Sequence, residues 1–310
     1  ESTTYPGTTE EVLRPILEQS LGQLGKDFYL AYSPEREDPG NPLSNFDDTP
    51  KVVAGSTKEC QRKAIELYSK ICSKVVPVSS CTMAEMVKIW ENTFRAINIS
   101  AVNELKMVCD RMNLDVWEVV EAAKTKPYGF TPFYPGPGMG GHCIPVDPFY
   151  LSWKAKEFGI HTRFIELAGE INFRMHHYVA NKVIFALNDQ GKSLKGAKIL
   201  IVGLAYKANI DDIRESPSLP IISTLQKEGA QVDYHDPHVP IVPPIRHFQS
   251  LEGKRSLPLN RETITHYDLC LILTQHDAVP YELLAAEAVS LVDTRNAMAN
   301  FNVKGRLYKA

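Results

Sequence analysis

Apolar residues recur at helical spacing between positions 84 and 112. Met86, Ile89, Trp90, Phe94, Ile97, Val102, Leu105 and Val108 follow a 3.6-residue period, and neither Pro nor Gly interrupts it. The pattern predicts one long helix, broken near Asn113 and resumed over 116–123, and a second long helix over 164–188. On either side the texture alternates between helix and strand. Thr8-Thr9-Glu10-Glu11 reads as the cap and acidic first turn of a helix reaching Leu21. Short apolar runs at 28–32, 52–54 and 75–78 read as strands, with an amphipathic helix over 58–73. Beyond 194 a buried-strand pattern over 198–203 is followed by a helix over 218–228. Strands follow at 231–236, ending in Asp236, and at 269–273 and 289–292.

Helices alternating with strands on both sides of a helical middle predict an α/β fold. It has two Rossmann-like doubly wound domains joined by a central long-helix domain, divided as 1–80, 81–193 and 194–310. Residues 1–80 hold no first strand–glycine turn–helix unit, so the first domain is expected to be truncated. The opening Glu1-Ser2-Thr3-Thr4, without Met, predicts a fragment. Long helices in mid-chain suggest a domain bridge and a homodimer interface; core packing alone is the other reading.

Composition narrows the partners. A net charge of −3 over 310 residues argues against nucleic acid or an anionic membrane surface. No apolar run approaches the roughly 20 residues that span a bilayer. Six cysteines are scattered without metal-ligand or disulfide-framework spacing, which points to reduced thiols and a cytoplasmic location.

The densest candidate chemistry lies at 138–148. Cys143 follows Gly138, Gly140 and Gly141, and Asp147 stands four residues on. An ionised thiol is a strong nucleophile, and glycines let backbone amides approach a ligand. The competing reading is a tight turn into a helix, with Cys143 as a buried hydrophobe and Asp147 as a cap before Pro148. The turn at Gly203–Lys207 lacks the full Gly-x-Gly-x-x-Gly spacing; Lys207 and Arg214 instead suit a phosphate at a strand's carboxyl end.

Four further pieces accompany this loop: Ser2-Thr3-Thr4-Tyr5-Pro6-Gly7, Ser33-Pro34-Glu35-Arg36, Lys88 with Asn92, and Lys207 through Arg214-Glu215-Ser216. In this order the chain resembles the UDP-glucose/GDP-mannose dehydrogenase family over essentially its whole length, starting late in the family's NAD-binding domain. The run Gly141–Leu151 and the run Ser33–Gly40 are similar to the UDP-N-acetylhexosamine 6-dehydrogenases; Val146 stands where UDP-glucose enzymes more often carry Lys.

The resemblance implies NAD as cofactor and a UDP-sugar as substrate. UDP-N-acetylglucosamine comes first, UDP-N-acetylmannosamine second, and UDP-glucose is a further alternative. It implies twofold oxidation of the C6 alcohol through a Cys143 thiohemiacetal and thioester. Lys88 and Asn92 would stabilise the oxyanion, Asp147 would hold or activate a water, Glu35 would assist hydrolysis and Thr4 would order the water. Thr4, Glu35 and Arg214 would also meet the cofactor. Phe133, Tyr134, Gly138, Gly140, Lys207 and Arg295 would hold the nucleotide-sugar. Residues 194–310 would be the UDP-sugar domain. Two other classes compete: a non-catalytic nucleotide-sugar binding or dimerisation fragment, and an acyl-transfer thiol enzyme pairing Cys143 with His142 or His161.

Overall fold

A computed structural model describes residues 1–37 and 47–310, which form two compact units: 1–95 with 146–166, and 96–145 with 167–310. In the first unit a wide turn at Thr8–Leu13 runs into α1 (Arg14–Leu21). Then come β1 (Ala31–Tyr32), β2 (Lys51–Gly55), α2 (Lys58–Tyr68), β3 (Val75–Pro77) and the start of α3 (Cys81–Met112). The sheet is mixed: β1 pairs antiparallel with β2, and β2 parallel with β3. Tyr32, Val52, Ala54, Cys81 and Ala84 pack into the core beneath it.

Local signals explain some boundaries and long-range contacts the others. Thr57 caps α2 by accepting from Cys60 N at 3.1 Å. The helix stops at Tyr68 and not at 73: Lys70 N and Ile71 N donate to Leu67 O and Tyr68 O, three residues before them, and Ser73 N leaves for Asp47 O at 2.8 Å. Thr8 and Thr9 do not cap the first helix; Gly7 does, in a left-handed conformation. Its orphan amides are met from α3. The fully buried Glu85 carboxylate accepts from Gly7 N at 2.6 Å, Thr9 N at 2.8 Å and Thr9 Oγ1 at 2.6 Å.

The second unit takes the rest of α3, then α4 (Val116–Lys124), capped by Asp115. α5 (Asp147–Ala155) belongs to the first unit, and α6 (Arg163–Asn188) runs from the first into the second. The chain then lays down β4 (Lys198–Val202), α7 (Ser218–Lys227), β5 (Gln231–His235) and α8 (Arg261–His266). β6 (Leu269–Ile272), α9 (Tyr281–Glu287), β7 (Ser290–Asp293) and β8 (Arg306–Lys309) complete it. These five strands are all parallel, in the order β5-β4-β6-β7-β8. That is a doubly wound order, with its switch point between β4 and β6. Alternate residues of each strand feed opposite cores. Ile199, Ile201, Leu269 and Leu271 join Val179, Val183 and Leu187 of α6; Leu200, Val202, Cys270 and Ile272 join Leu284 of α9.

The stripe on α3 divides. Ile89 and Val102 are buried, whereas Met86, Trp90, Phe94, Leu105 and Val108 are exposed and continue through Met83 and Met112 at the same period. The outward face is thus the regular apolar stripe, while the inward face mixes apolar residues with the buried polar side chains of Glu85, Lys88, Asn92, Asn103 and Lys106. No helix of the described residues is long and apolar enough to cross a membrane.

Glu85→Gln leaves one amide oxygen for three donors, and it should destabilise the first unit by about 2 kcal/mol. Chemical denaturation checks this, and an unchanged midpoint would show that the turn at Thr8 does not depend on Glu85.

Candidate active site

In the first unit, α3 presents Lys88 and, one turn later, Asn92; both side chains are buried. Asn92 Nδ2 donates to Asp147 Oδ2 at 2.7 Å, entirely out of solvent. Asp147 is the first residue of α5, and Val146 occupies the cap position without a side-chain hydrogen bond. From the first turn of its helix the carboxylate accepts from the amide on α3. The helix N-terminus favours its negative charge.

Thr4 Oγ1 is buried and forms no hydrogen bond of good geometry, although the Tyr32 hydroxyl lies close by and itself donates to Ser2 O. Glu35 follows β1, and its carboxylate accepts from the Glu37 amide. Arg36 ties that loop to α3 through an ion pair with Glu91, and to Pro50 O at 2.7 Å. The Asp38-Pro39-Gly40 end of this motif lies outside the described residues.

In the second unit, Cys143 sits exposed on the loop between α4 and α5, while the other five cysteines are buried. The loop is seated on the segment after β4. Gly141 N donates to Arg214 O at 3.2 Å, and Gly141 is left-handed; a Cβ there would lie 2.8 Å from the Tyr206 ring. Gly140 lies against Tyr206 and Pro217, Gly138 against His176 and Asn172. The glycines admit protein side chains. Gly136, Gly138 and Gly141 match a dinucleotide fingerprint in spacing, yet no strand precedes them. Arg214 is mostly exposed and paired with Asp212 at 2.6 Å, and the guanidinium holds the Asp212 carboxyl below its ordinary value against the pull of partial burial.

A cavity of about 340 Å³ opens at the carboxyl ends of β4, β6 and β7. Tyr206 and Lys207 wall it after β4, Thr274 and Gln275 after β6, and Arg295 after β7; Tyr134 closes the remaining side. The Tyr134 ring stacks on Trp117, with centroids 5.6 Å apart and planes at 15°. Arg295 Nε donates to Leu273 O at 2.9 Å, and Gly136 leaves room for the guanidinium, since a Cβ there would stand 2.5 Å from it. Burial pulls Arg295 down to about 10, opposed by Asp293, so it stays cationic at neutral pH. Phe133 is half-buried and packs against the small core of α3 and α4, outside this cavity's wall. Two cations and an aromatic slab at a switch point suit a nucleoside diphosphate.

Residues 1–72 match the NAD binding domain, 82–174 the central domain and 200–300 the UDP binding domain of the UDP-glucose/GDP-mannose dehydrogenase family. A solved structure of UDP-D-ManNAc dehydrogenase from Pyrococcus horikoshii superposes with a TM-score of 0.87 at 30% identity, covering all of this chain and 71% of that one. The chain belongs to the UDP-glucose/GDP-mannose dehydrogenase family. Among curated relatives, Protein CapL of Staphylococcus aureus is 42% identical over 76% of this chain. UDP-N-acetyl-D-glucosamine 6-dehydrogenase of Salmonella typhi is 36% identical over 89%. The chain spans 56% and 64% of those two proteins. For the family's dinucleotide, the orphan hydroxyl of Thr4 fits as a hydrogen-bonding partner. No strand–glycine turn–helix cradle for a pyrophosphate stands among the described residues of the first unit.

Sequence reasoning missed Trp117, Thr274, and His276 with its partner Asp236. Only the acid at the end of β5 signalled the last pair.

His176, against Gly138, has no hydrogen-bond partner on either ring nitrogen. Burial, aided by the charge of His177, pushes it down from 6.5 to about 4. The unfolded chain takes up this proton near pH 6.5 and the folded chain only near 4. Its stabilising contribution is thus complete above pH 6.5 and is lost as pH falls toward 4. From pH 7 to 5 the second unit should lose about 2 kcal/mol through this group. Urea unfolding at both pH values should show a smaller drop in His176→Phe; an equal drop would refute the assignment.

Proposed function

We propose that the whole protein oxidises the C6 alcohol of a UDP-N-acetylhexosamine to the carboxylate, using NAD, with UDP-N-acetylglucosamine the favoured substrate. The observation that carries this reading is the cationic cavity of Lys207 and Arg295, which shares Tyr206 with the seat of the Cys143 loop. The UDP diphosphate would lie on the two cations and the uracil against Tyr134. The choice of an N-acetylated sugar rests on the Gly141–Leu151 run and on the names of several relatives, which include both N-acetylglucosamine and N-acetylmannosamine enzymes. By the domain matches, 1–80 would serve the cofactor, 81–193 the central domain and 194–310 the nucleotide-sugar.

NAD, when bound, supplies the acceptor for two hydrides, with Thr4, Glu35 and Arg214 as its contacts from this chain. The remaining chemistry falls to side chains. Asp147 takes the alcohol proton through a water as the aldehyde forms. Cys143 Sγ then adds to the aldehyde carbon, and the oxygen takes up a proton to give a thiohemiacetal; loss of the second hydride and that proton leaves a thioester. Lys88 and Asn92 stabilise the oxyanion at each stage, Asn92 held in place by Asp147. Glu35 and Thr4 direct the water that cleaves the thioester, which releases the carboxylate and restores the thiol. Phe133, Gly138 and Gly140 shape the substrate loop. Six cysteines outside any disulfide suit a cytoplasmic enzyme.

The exposed stripe of α3 is the surface we assign to a second copy of this chain. Seven large apolar side chains from Met83 to Met112, each at least 36% exposed, lie on one face of a helix whose opposite face is already buried.

Two outcomes are expected. In the whole enzyme, Cys143→Ser should lower carboxylate formation from UDP-N-acetylglucosamine by at least about 10³-fold. Undiminished formation of the uronate would end the covalent mechanism, and faster turnover of UDP-glucose would end the substrate assignment. Light scattering should give a dimer, and Trp90→Glu with Phe94→Glu should give a monomer; a monomeric wild type would refute the interface.

A further inference from the structure

The segment from Gly203 to Asn209 has neither helix nor strand, yet buried side chains satisfy its backbone. Leu204 N and Ala205 N donate to Asp236 Oδ2 at 2.6 and 3.0 Å. Leu204 O accepts from Ser216 Oγ at 2.7 Å, and Ala205 O accepts from Thr274 Oγ1. At the far end Asn209 N donates to His276 Nδ1 at 2.9 Å. An amide can only donate, so Nδ1 is an acceptor and the ring proton resides on Nε2. Nε2 then donates to Asp236 Oδ2 at 3.0 Å. His276 is completely buried and holds both ends of the segment: one directly, the other through Asp236. Asn209 adds a reciprocal pair with Asp277, at 2.8 and 2.9 Å.

Between those clamps stand Tyr206 and Lys207. Both wall the cavity after β4. Tyr206 also fills the space beside Gly140 and Gly141, and its amide donates to Asp212 O at 3.0 Å, two residues before the Arg214 carbonyl that receives Gly141 N. One short strut therefore bears the cavity wall on one side and the Cys143 loop on the other.

We propose that His276 is a positioning residue that fixes this strut and thereby couples occupancy of the cavity to the posture of the Cys143 loop. The inference rests on the reading of the cavity as the UDP site. It is tested by binding and by thiol reactivity, so turnover is not needed. Cys143 is the one exposed cysteine, so iodoacetamide alkylation of the full-length protein reports its loop.

In wild type, saturating UDP should change the alkylation rate at least about threefold. His276→Leu should weaken UDP binding about tenfold by calorimetry and reduce the effect of saturating UDP on alkylation to near unity. His276→Gln should restore both, because its carbonyl accepts from Asn209 and its amide donates to Asp236. Thr274→Val, a milder lesion that removes only the hydroxyl bracing Ala205 O of the strut, should shift both in the same direction and keeps the test open if His276→Leu does not fold. A lower melting temperature with the UDP effect intact would mark His276 as merely structural and overturn the proposal. So would a wild type that binds UDP without any change in alkylation. A wild type that does not bind UDP would instead overturn the reading of the cavity.

Discussion

The second unit depends on one buried carboxylate. Asp236 sits at the end of β5 with no exposed side-chain surface, and five donors converge on it. They are the amides of Leu204 and Ala205 and the ring of His276 on one oxygen, and the amides of His238 and Val239 on the other. Burial alone would push this carboxyl up. The hydrogen bonds from His276, Ala205 and Leu204 outweigh it and hold the group near 2. The carboxylate thus terminates β5, bends the chain after β4 and orders the opening of the β6 crossover. In a parallel sheet these carboxyl-end loops make the binding crevice. The charge that the fold cannot leave unpaired is also what shapes that crevice.

Local patterns carried most of the architecture. The 3.6-residue period marked the two long helices, and the apolar runs of β4, β6 and β7 marked a sheet buried on both faces. Local patterns could not say which side of α3 faces inward, because its most regular apolar stripe is the exposed one and its buried face carries Glu85, Lys88 and Asn92. Nor could they find the cap of the first helix. The acid that meets those amides is Glu85, more than seventy residues downstream. β8 escaped notice because its residues are at most half-buried and do not alternate clearly.

The candidate site was legible through motifs and less so through physics. Asn92 and Asp147 meet across 55 positions by a direct hydrogen bond, which no local argument would have supplied. Around Cys143, Gly140 and Gly141 lie against Tyr206 and Gly138 lies against His176 and Asn172, packing partners that no local pattern names.

The slab formed by Trp117 and Tyr134 has an optical consequence. The chain has three tryptophans. Trp90 and Trp153 stand more than half exposed in the first unit, whereas Trp117 is half-buried and stacked at the wall of the cavity. The indoles differ in hydration, so their emission separates by wavelength. Trp90 lies on the face assigned to a second copy, so once Trp90 is replaced the blue edge of the intrinsic fluorescence belongs to the indole beside Lys207 and Arg295, a label-free gauge of what occupies that crevice.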